Sequence, residues 1–364
     1  MEFTLGDEQQ ALQETARQFL AAEAPPTYVR AMIDGGGEVM SGLWERMVDL
    51  GWVGLLVPER NGGSGMGLLE AMVLLEEMGR LPLPGPFLSS AVMATTAAVR
   101  LGLEDRFDGL ASGATRGAIA LDEEGHGDVV DRVRTRASRK SGSWRLTGTK
   151  PVVLDGHGAD WVLVAARTQQ GLGTFLLERP AAEQIPTLDV TRRVARLDLH
   201  ETPAVPVGPD GDQTAIWRRI ADDAAVALCA ELLGSMQRAF DLAIEYAKAR
   251  VQFDRPIATF QATKHKAAEM LERIELSRVG THYAAWASAT DQPVRAEAVA
   301  MAKSFVGRSA IEVTGEGIQI HGGVGFTWDC DAHLHYRRAK ANDLLLGYHG
   351  TWRHRVADSY LATA

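Results

Sequence analysis

A chain of 364 residues, 46% apolar and 23% charged, has the length and mix of two or three soluble domains sharing a large core. Its net charge of −9 argues against nucleic acid as the main partner, and no apolar run approaches membrane-spanning length. The opening MEFTLGDEQQ lacks the basic and apolar regions of a secretory leader, and Cys229 and Cys330 form no ligand cluster, so a reduced cytoplasm is the expected compartment.

After Asp7 the apolar positions Leu12, Ala16, Phe19 and Leu20 follow one helical face that stops at Pro25-Pro26. LLEAMVLLEEMGR puts Leu68, Met72 and Leu75 together on a second helix. Between the helices, ERNGGSGMG imitates a phosphate-cradling loop but lacks the following Lys-Ser/Thr, so it reads as a connection. From about 116 the texture changes to short strands, among them GAIAL, RVRTRA, SWRLTGTK, DWVLVAA and TFLL, with no crossover helices. From about 211 it is helical again, first in an Ala-rich run that meets no proline until Pro256. The expectation is an α+β chain: an all-α domain over 1–115, a small antiparallel β-barrel or sandwich over 116–210, and a four-helix bundle over 211–364.

Two segments carry chemistry. ARVQFDRPIATFQ contains Arg250, Phe253, Phe260 and Gln261, and EGIQIHGGVGF contains Gln319, Gly322 and Gly323. Singly, each has an ordinary reading: a cation near a helix end, core aromatics, helix-surface amides, a turn. Together they resemble the signatures of the acyl-CoA dehydrogenase family, Arg-x-x-Phe-Gly-x-Pro-Ile…Phe-Gln and Gln-Ile-x-Gly-Gly-x-Gly-Phe/Tyr, and the likeness extends over essentially the whole chain.

That resemblance implies a helix–β–helix fold, noncovalent FAD, an acyl-CoA substrate, electron-transfer flavoprotein as acceptor, and a homo-oligomer or a heterotetramer with a paralogous subunit. It assigns Arg250, Phe253, Phe260, Gln261, Gln319, Gly322 and Gly323 to the adenosine-diphosphate half of FAD, which in the family lies across a subunit interface. The chemistry suits those roles. A guanidinium pairs with a pyrophosphate through charge-assisted bonds, glycines let backbone amides approach phosphate, and amide side chains both donate and accept. Asp254 stands where the signature has glycine.

The flavin-ring half departs further. In LDEEGHGDVV, Leu121 replaces the first hydroxyl and Gly127 the serine; after Lys150, Val152 replaces the family's aromatic and Leu154 its hydroxyl. The family's catalytic glutamate takes the substrate α-proton, and both of its known positions are empty of carboxylate here: Leu346 in one lineage's place, Ala224 in the other's. Ala225 stands where a CoA-contacting arginine is usual.

Glu231, two turns beyond Ala224, is the candidate base; the alternative is an ion pair or hydrogen bond at a subunit contact, since a buried carboxylate needs a partner or a job. Asp222 and Asp223 read as residues near a helix start, solvated or paired with its dipole, His349 as a look-alike beside the empty position, and His333 and His335 as no metal pair. Three readings stand open: an acyl-CoA dehydrogenase using Glu231, placed first; a catalytically incomplete companion subunit of a heteromeric dehydrogenase; and a flavin oxidase on the same fold. Small Ala224, Ala225 and Ala227 hint at room for a bulky acyl group.

Overall fold

The structure, a computed structural model, describes residues 5–35 and 41–361. Six helices come first: α1 (Asp7–Glu23), α2 (Pro26–Asp34), α3 (Ser41–Asp49), α4 (Leu68–Gly79), α5 (Thr95–Leu101) and α6 (Phe107–Ala111). Phe3 and Thr4, which open the stretch resembling the family's first helix, lie outside the described residues. The stripe expected on α1 faces inward: Ala16 and Leu20 are buried, with Leu12 and Phe19 packed against the same core. Pro26 begins α2, where a missing N–H costs nothing. Ahead of α5, Phe87–Ala94 is wound as a π-helix, a local widening common near functional sites.

Seven strands follow: β1 (Gly117–Ala120), β2 (Arg136–Lys140), β3 (Ser143–Leu154), β4 (Trp161–Thr168), β5 (Gly171–Glu178), β6 (Glu183–Ile185) and β7 (Val194–Val207). They run β1-β4-β2-β3-β7-β5, and a β4–β5 pairing closes the path into a barrel, with β6 on β7. The sheet is mixed where a purely antiparallel one was expected. β1 lies parallel to β4 from Gly117↔Trp161 to Ala120↔Val164, the long chain between them providing the crossover a parallel pair needs. β7, not among the strands expected from the sequence, carries Pro203 and Pro206, residues disfavoured inside a sheet. Those prolines fall where β7 leaves β3 (Trp144↔Ala204) and joins β5 (Leu176↔Val205).

Beyond the barrel lie α7 (Thr214–Ala249), α8 (Gln261–Ala289), α9 (Arg295–His321), α10 (Ala332–Leu344) and α11 (His349–Leu361), so three long helices and two short ones stand where four were expected. α7 is buried all round from Ile220 to Met236, and this follows from its small residues. It crosses α4 so closely that a Cβ at Gly234 would stand 1.8 Å from Glu76 O, and one at Gly79 would stand 2.1 Å from Glu231 O. Glycine at both positions is what allows backbone contact. None of the described helices is long and apolar enough to cross a membrane.

Candidate active site

The two signature segments meet at one end of the helical bundle. Arg250 caps the C-terminus of α7, Phe260 and Gln261 begin α8, and Gln319, Gly322 and Gly323 end α9. The ends are joined by the Tyr246 ring stacked on His321 at 4.7 Å, and by Ala247, Ile257 and Ile320 in one apolar cluster. Val251–Gln252 and Arg255–Pro256 form a tight hairpin whose two turn residues, Phe253 (φ 54°) and Asp254 (φ 62°), are both left-handed. Such a turn favours glycine second, which gives the family's Phe-Gly its physical reason; aspartate tolerates the conformation better than most residues. Asp254 makes no ion pair with Arg250 or Arg255, and Arg255 lies instead over the Phe260 ring at 4.2 Å.

Arg250, Gln261, Gln319 and Gly323 are exposed, and Arg250 has no carboxylate partner among the described residues. Gly322, at φ 62° and ψ −142°, holds a conformation essentially closed to other residues, and it donates its N–H to Gln319 O. An unpaired guanidinium, free amide side chains and a glycine turn at one surface suit the adenosine-diphosphate half of FAD.

The ring half does not fit. Leu121, Val152, Leu154 and Leu346, four positions from three separate segments, converge on a single pocket with Ser89, Met93, Ile119, Asp122 and Leu345. That pocket has a volume of about 30 Å³, enough for roughly one water and far below the ~300 Å³ of the smallest ligand sites. The loops that line it are held in place by hydrogen bonds. Leu346 sits at φ 60°, and its N–H donates to Asp122 Oδ2 at 3.2 Å while its C=O accepts from Trp352 Nε1 at 3.1 Å. The fully buried Lys303 donates to the carbonyls of Asn342 (2.6 Å) and Asp343 (3.2 Å), fixing the end of α10 from which this loop departs. Lys150 ties the Leu121 loop to β3, donating to Glu123 Oε1 (2.6 Å) and Leu121 O (3.2 Å); burial pulls its pKa down to about 8 against the pull of Glu123. Burial also pushes the Asp122 carboxyl up, although Arg132 pairs with it at 2.7 Å.

Glu231 lines neither this pocket nor the larger cavity beyond it. Its Oε1 accepts from Arg338 Nη1 at 2.7 Å, and its Oε2 accepts from Asn342 Nδ2 at 2.6 Å and from Arg192. Arg338 also pairs with Asp189 at 2.5 Å and donates to Pro82 O at 3.1 Å. One buried network thus joins the loop before β7, α7, α10 and the α4–α5 connection. Both carboxylate oxygens are engaged within the chain, as the ion-pair alternative describes.

Other expectations change with burial. Asp222 and Asp223 are not solvated: Asp222 pairs with Arg295 (2.7 Å) and Arg355 (3.0 Å), and Asp223 with Arg100 (3.0 Å). His349 caps α11 against Asp343, with its backbone N–H at 3.0 Å and Nδ1 at 2.9 Å. His333 stacks on Trp328 while His335 bonds Ser235 Oγ at 3.0 Å, so the two have separate surroundings. No cluster able to hold a metal occurs among the described residues. Ala224, Ala225 and Ala227 are closed into the core and line neither cavity. Arg192, Arg338 and Asn342 were missed in sequence; the signal was arginine runs, TRRVAR and YRRAK, next to apolar segments.

The profile of the acyl-CoA dehydrogenase N-terminal domain matches residues 6–106 and that of the C-terminal domain residues 215–361. The acyl-CoA dehydrogenase IpdE2 of Mycobacterium tuberculosis is 34% identical over 93% of this chain and 93% of its own length. The chain belongs to the acyl-CoA dehydrogenase family. Members of this family are FAD-dependent oxidoreductases acting on acyl-CoA, and FAD is the cofactor against which the site must be read. Among solved structures, this acyl-CoA dehydrogenase is similar to the Tcur3481–Tcur3483 steroid ACAD (31% identity, TM-score 0.90, 99% of this chain and 100% of that one). It is also similar to the ChsE4–ChsE5 complex of M. tuberculosis (27% identity, TM-score 0.88, 99% of each chain).

Proposed function

We propose that this chain is the companion half of a heteromeric acyl-CoA dehydrogenase. It gives the adenylate side of the FAD clasp to a paralogous subunit, which supplies the isoalloxazine pocket, the base and the acyl-CoA site. The observation that carries the reading is the pocket of about 30 Å³ where Leu121, Val152, Leu154 and Leu346 meet: aliphatic side chains stand where the family has its ring contacts and base, and the one carboxylate there, Asp122, is paired with Arg132. The exposed Arg250 and the Gly322 turn support the other half of the reading, since they are built for a dinucleotide tail. The Tcur3481–Tcur3483 enzyme and the ChsE4–ChsE5 complex, both similar over nearly the whole chain, are each named for two chains. In this reading the heteromer works in the cytoplasm, passes electrons to an electron-transfer flavoprotein, and selects its acyl group in the paralogue.

The self-sufficient enzyme with Glu231 as base requires a carboxylate free to take a proton beside the substrate. Here two guanidinium groups and an amide engage both oxygens. The flavin oxidase meets the same obstacle, because it too needs the ring pocket.

Counting flavin separates these readings. Expressed alone, the chain is expected to hold little FAD; co-expressed with its paralogue, it is expected to form a yellow complex with about half a flavin per chain, as cofactor binding stabilises the assembled state. About one flavin per chain in the protein expressed alone, with acyl-CoA-dependent dye reduction, would overturn the proposal.

A further inference from the structure

Apolar side chains scattered singly over a surface need no explanation, but several on one face do. On the outer face of the α8–α9 pair, Leu276, Val279, Met301 and Phe305 are between 41% and 58% exposed. The two helices run antiparallel, in a register set by ion pairs from Arg273 to Glu312 at 2.8 Å and from Lys266 to Glu316. That register puts Val279 level with Phe305, and the half-buried Tyr283 level with Met301, so these side chains form one patch. The patch lies roughly 20 Å along α9 from Gln319, at 1.5 Å per residue, and is a different surface from the adenylate end. Gly280 stands in its middle, where a Cβ would meet nothing within 4 Å. Glycine weakens a helix interior relative to alanine, and no neighbour among the described residues requires it here. It leaves a hollow between Leu276 and Tyr283, beside the Phe305 ring.

We propose that this face binds a second copy of this chain, related to the first by a twofold axis parallel to the helices. Such an axis keeps every residue at its height, so α8 of each copy lies on α9 of the other. The Phe305 ring of each copy then enters the hollow at Gly280 of the other, and Met301 meets Tyr283. All neighbouring helices are antiparallel across this contact, as in an up-down four-helix bundle, with their dipoles opposed. Glu272, which has no ion pair among the described residues, comes within a turn of the other copy's Arg308, a side chain bonded to Glu312 of its own helix at 2.8 Å. Knob and hollow, acid and base thus stand on one face at matching heights, which is the self-complementarity a twofold contact requires. Size agrees: two helices of about 40 Å, together about 20 Å across, present about 800 Å², as much as one partner buries in a standard interface.

The contact involves this chain only, so it is measured without the paralogue and without reading flavin, and it stands or falls apart from the companion reading. The experiment is sedimentation velocity of the full chain expressed alone, from ~1 to ~100 µM. A dimer is expected within that range. Phe305→Asp is expected to leave a monomer throughout, with the far-ultraviolet circular dichroism of the wild type. Gly280→Leu fills the hollow with a good helix former and is expected to weaken association ~10-fold or more without loss of helix. Phe326→Asp, at the adenylate end, is expected to leave the dimer intact. A monomer at ~100 µM, a dimer indifferent to Phe305→Asp or to Gly280→Leu, or a dimer lost with Phe326→Asp would each overturn the proposal.

Discussion

Glu231 shows how far a single side chain is legible. Its neighbours in ALCAELLGS are small and apolar, and that is enough to predict a buried carboxylate in need of partners. The partners themselves, Arg192 and Arg338, lie 39 and 107 positions away in sequence, and no local pattern ties either to this carboxylate. Removing one member of such a buried set leaves the other charges uncompensated. Glu231→Ala is therefore expected to cost about 3–5 kcal/mol in urea unfolding. Measured per folded heteromer, acyl-CoA-dependent dye reduction by the milder Glu231→Gln variant is expected to match wild type. A folded Glu231→Gln complex with turnover reduced ~100-fold would instead make Glu231 the base.

Whole elements divide in the same way. The helix–β–helix order and the long proline-free run of α7 could be read from periodicity, whereas β7 was not among the expected strands and carries prolines that mark a change of partner strand. The signature hairpin was legible as a motif, but its left-handed turn, which explains why glycine is usual at position 254, appears only in the backbone. α10 makes a testable case, because the sequence gives no hint that its His335 is buried against Ser235 of α7. Burial, aided by the cations of Arg238, Arg338 and Arg80, pulls the His335 pKa from 6.5 to about 3. Between those values the unfolded chain takes up a proton that the folded chain refuses. The contribution of this group is present in full above pH 6.5 and is lost as pH falls toward 3, at about 1.4 kcal/mol per pH unit. Replacement by a neutral residue, His335→Asn, is expected to flatten the acid limb of a urea-denaturation series between pH 6 and about pH 4; an unchanged slope would show that the ring titrates normally in the folded chain.

At the scale of the molecule, the adenylate end of the bundle is the surface that looks unfinished. Phe253, in the hairpin that follows Arg250, is 86% exposed, and Phe326, just after the Gly322 turn, is 76% exposed. Large aromatics left in water are costly unless something covers them, and the left-handed Phe253 holds its ring in an uncommon backbone conformation. In the proposed heteromer that cover is the paralogue's ring-side surface, with FAD between the chains. Phe253→Asp removes apolar area and places a second carboxylate next to Asp254, where the cofactor's phosphates would lie. The variant chain is expected to keep its far-ultraviolet circular dichroism, because an exposed turn residue holds no core together. In sedimentation velocity with the paralogue it is expected to run as separate chains, and the flavin absorbance that marks the wild-type complex should be lost with the assembly. A variant that still forms the heteromer with its full flavin content would mean that the exposed aromatics at this end do not face the partner.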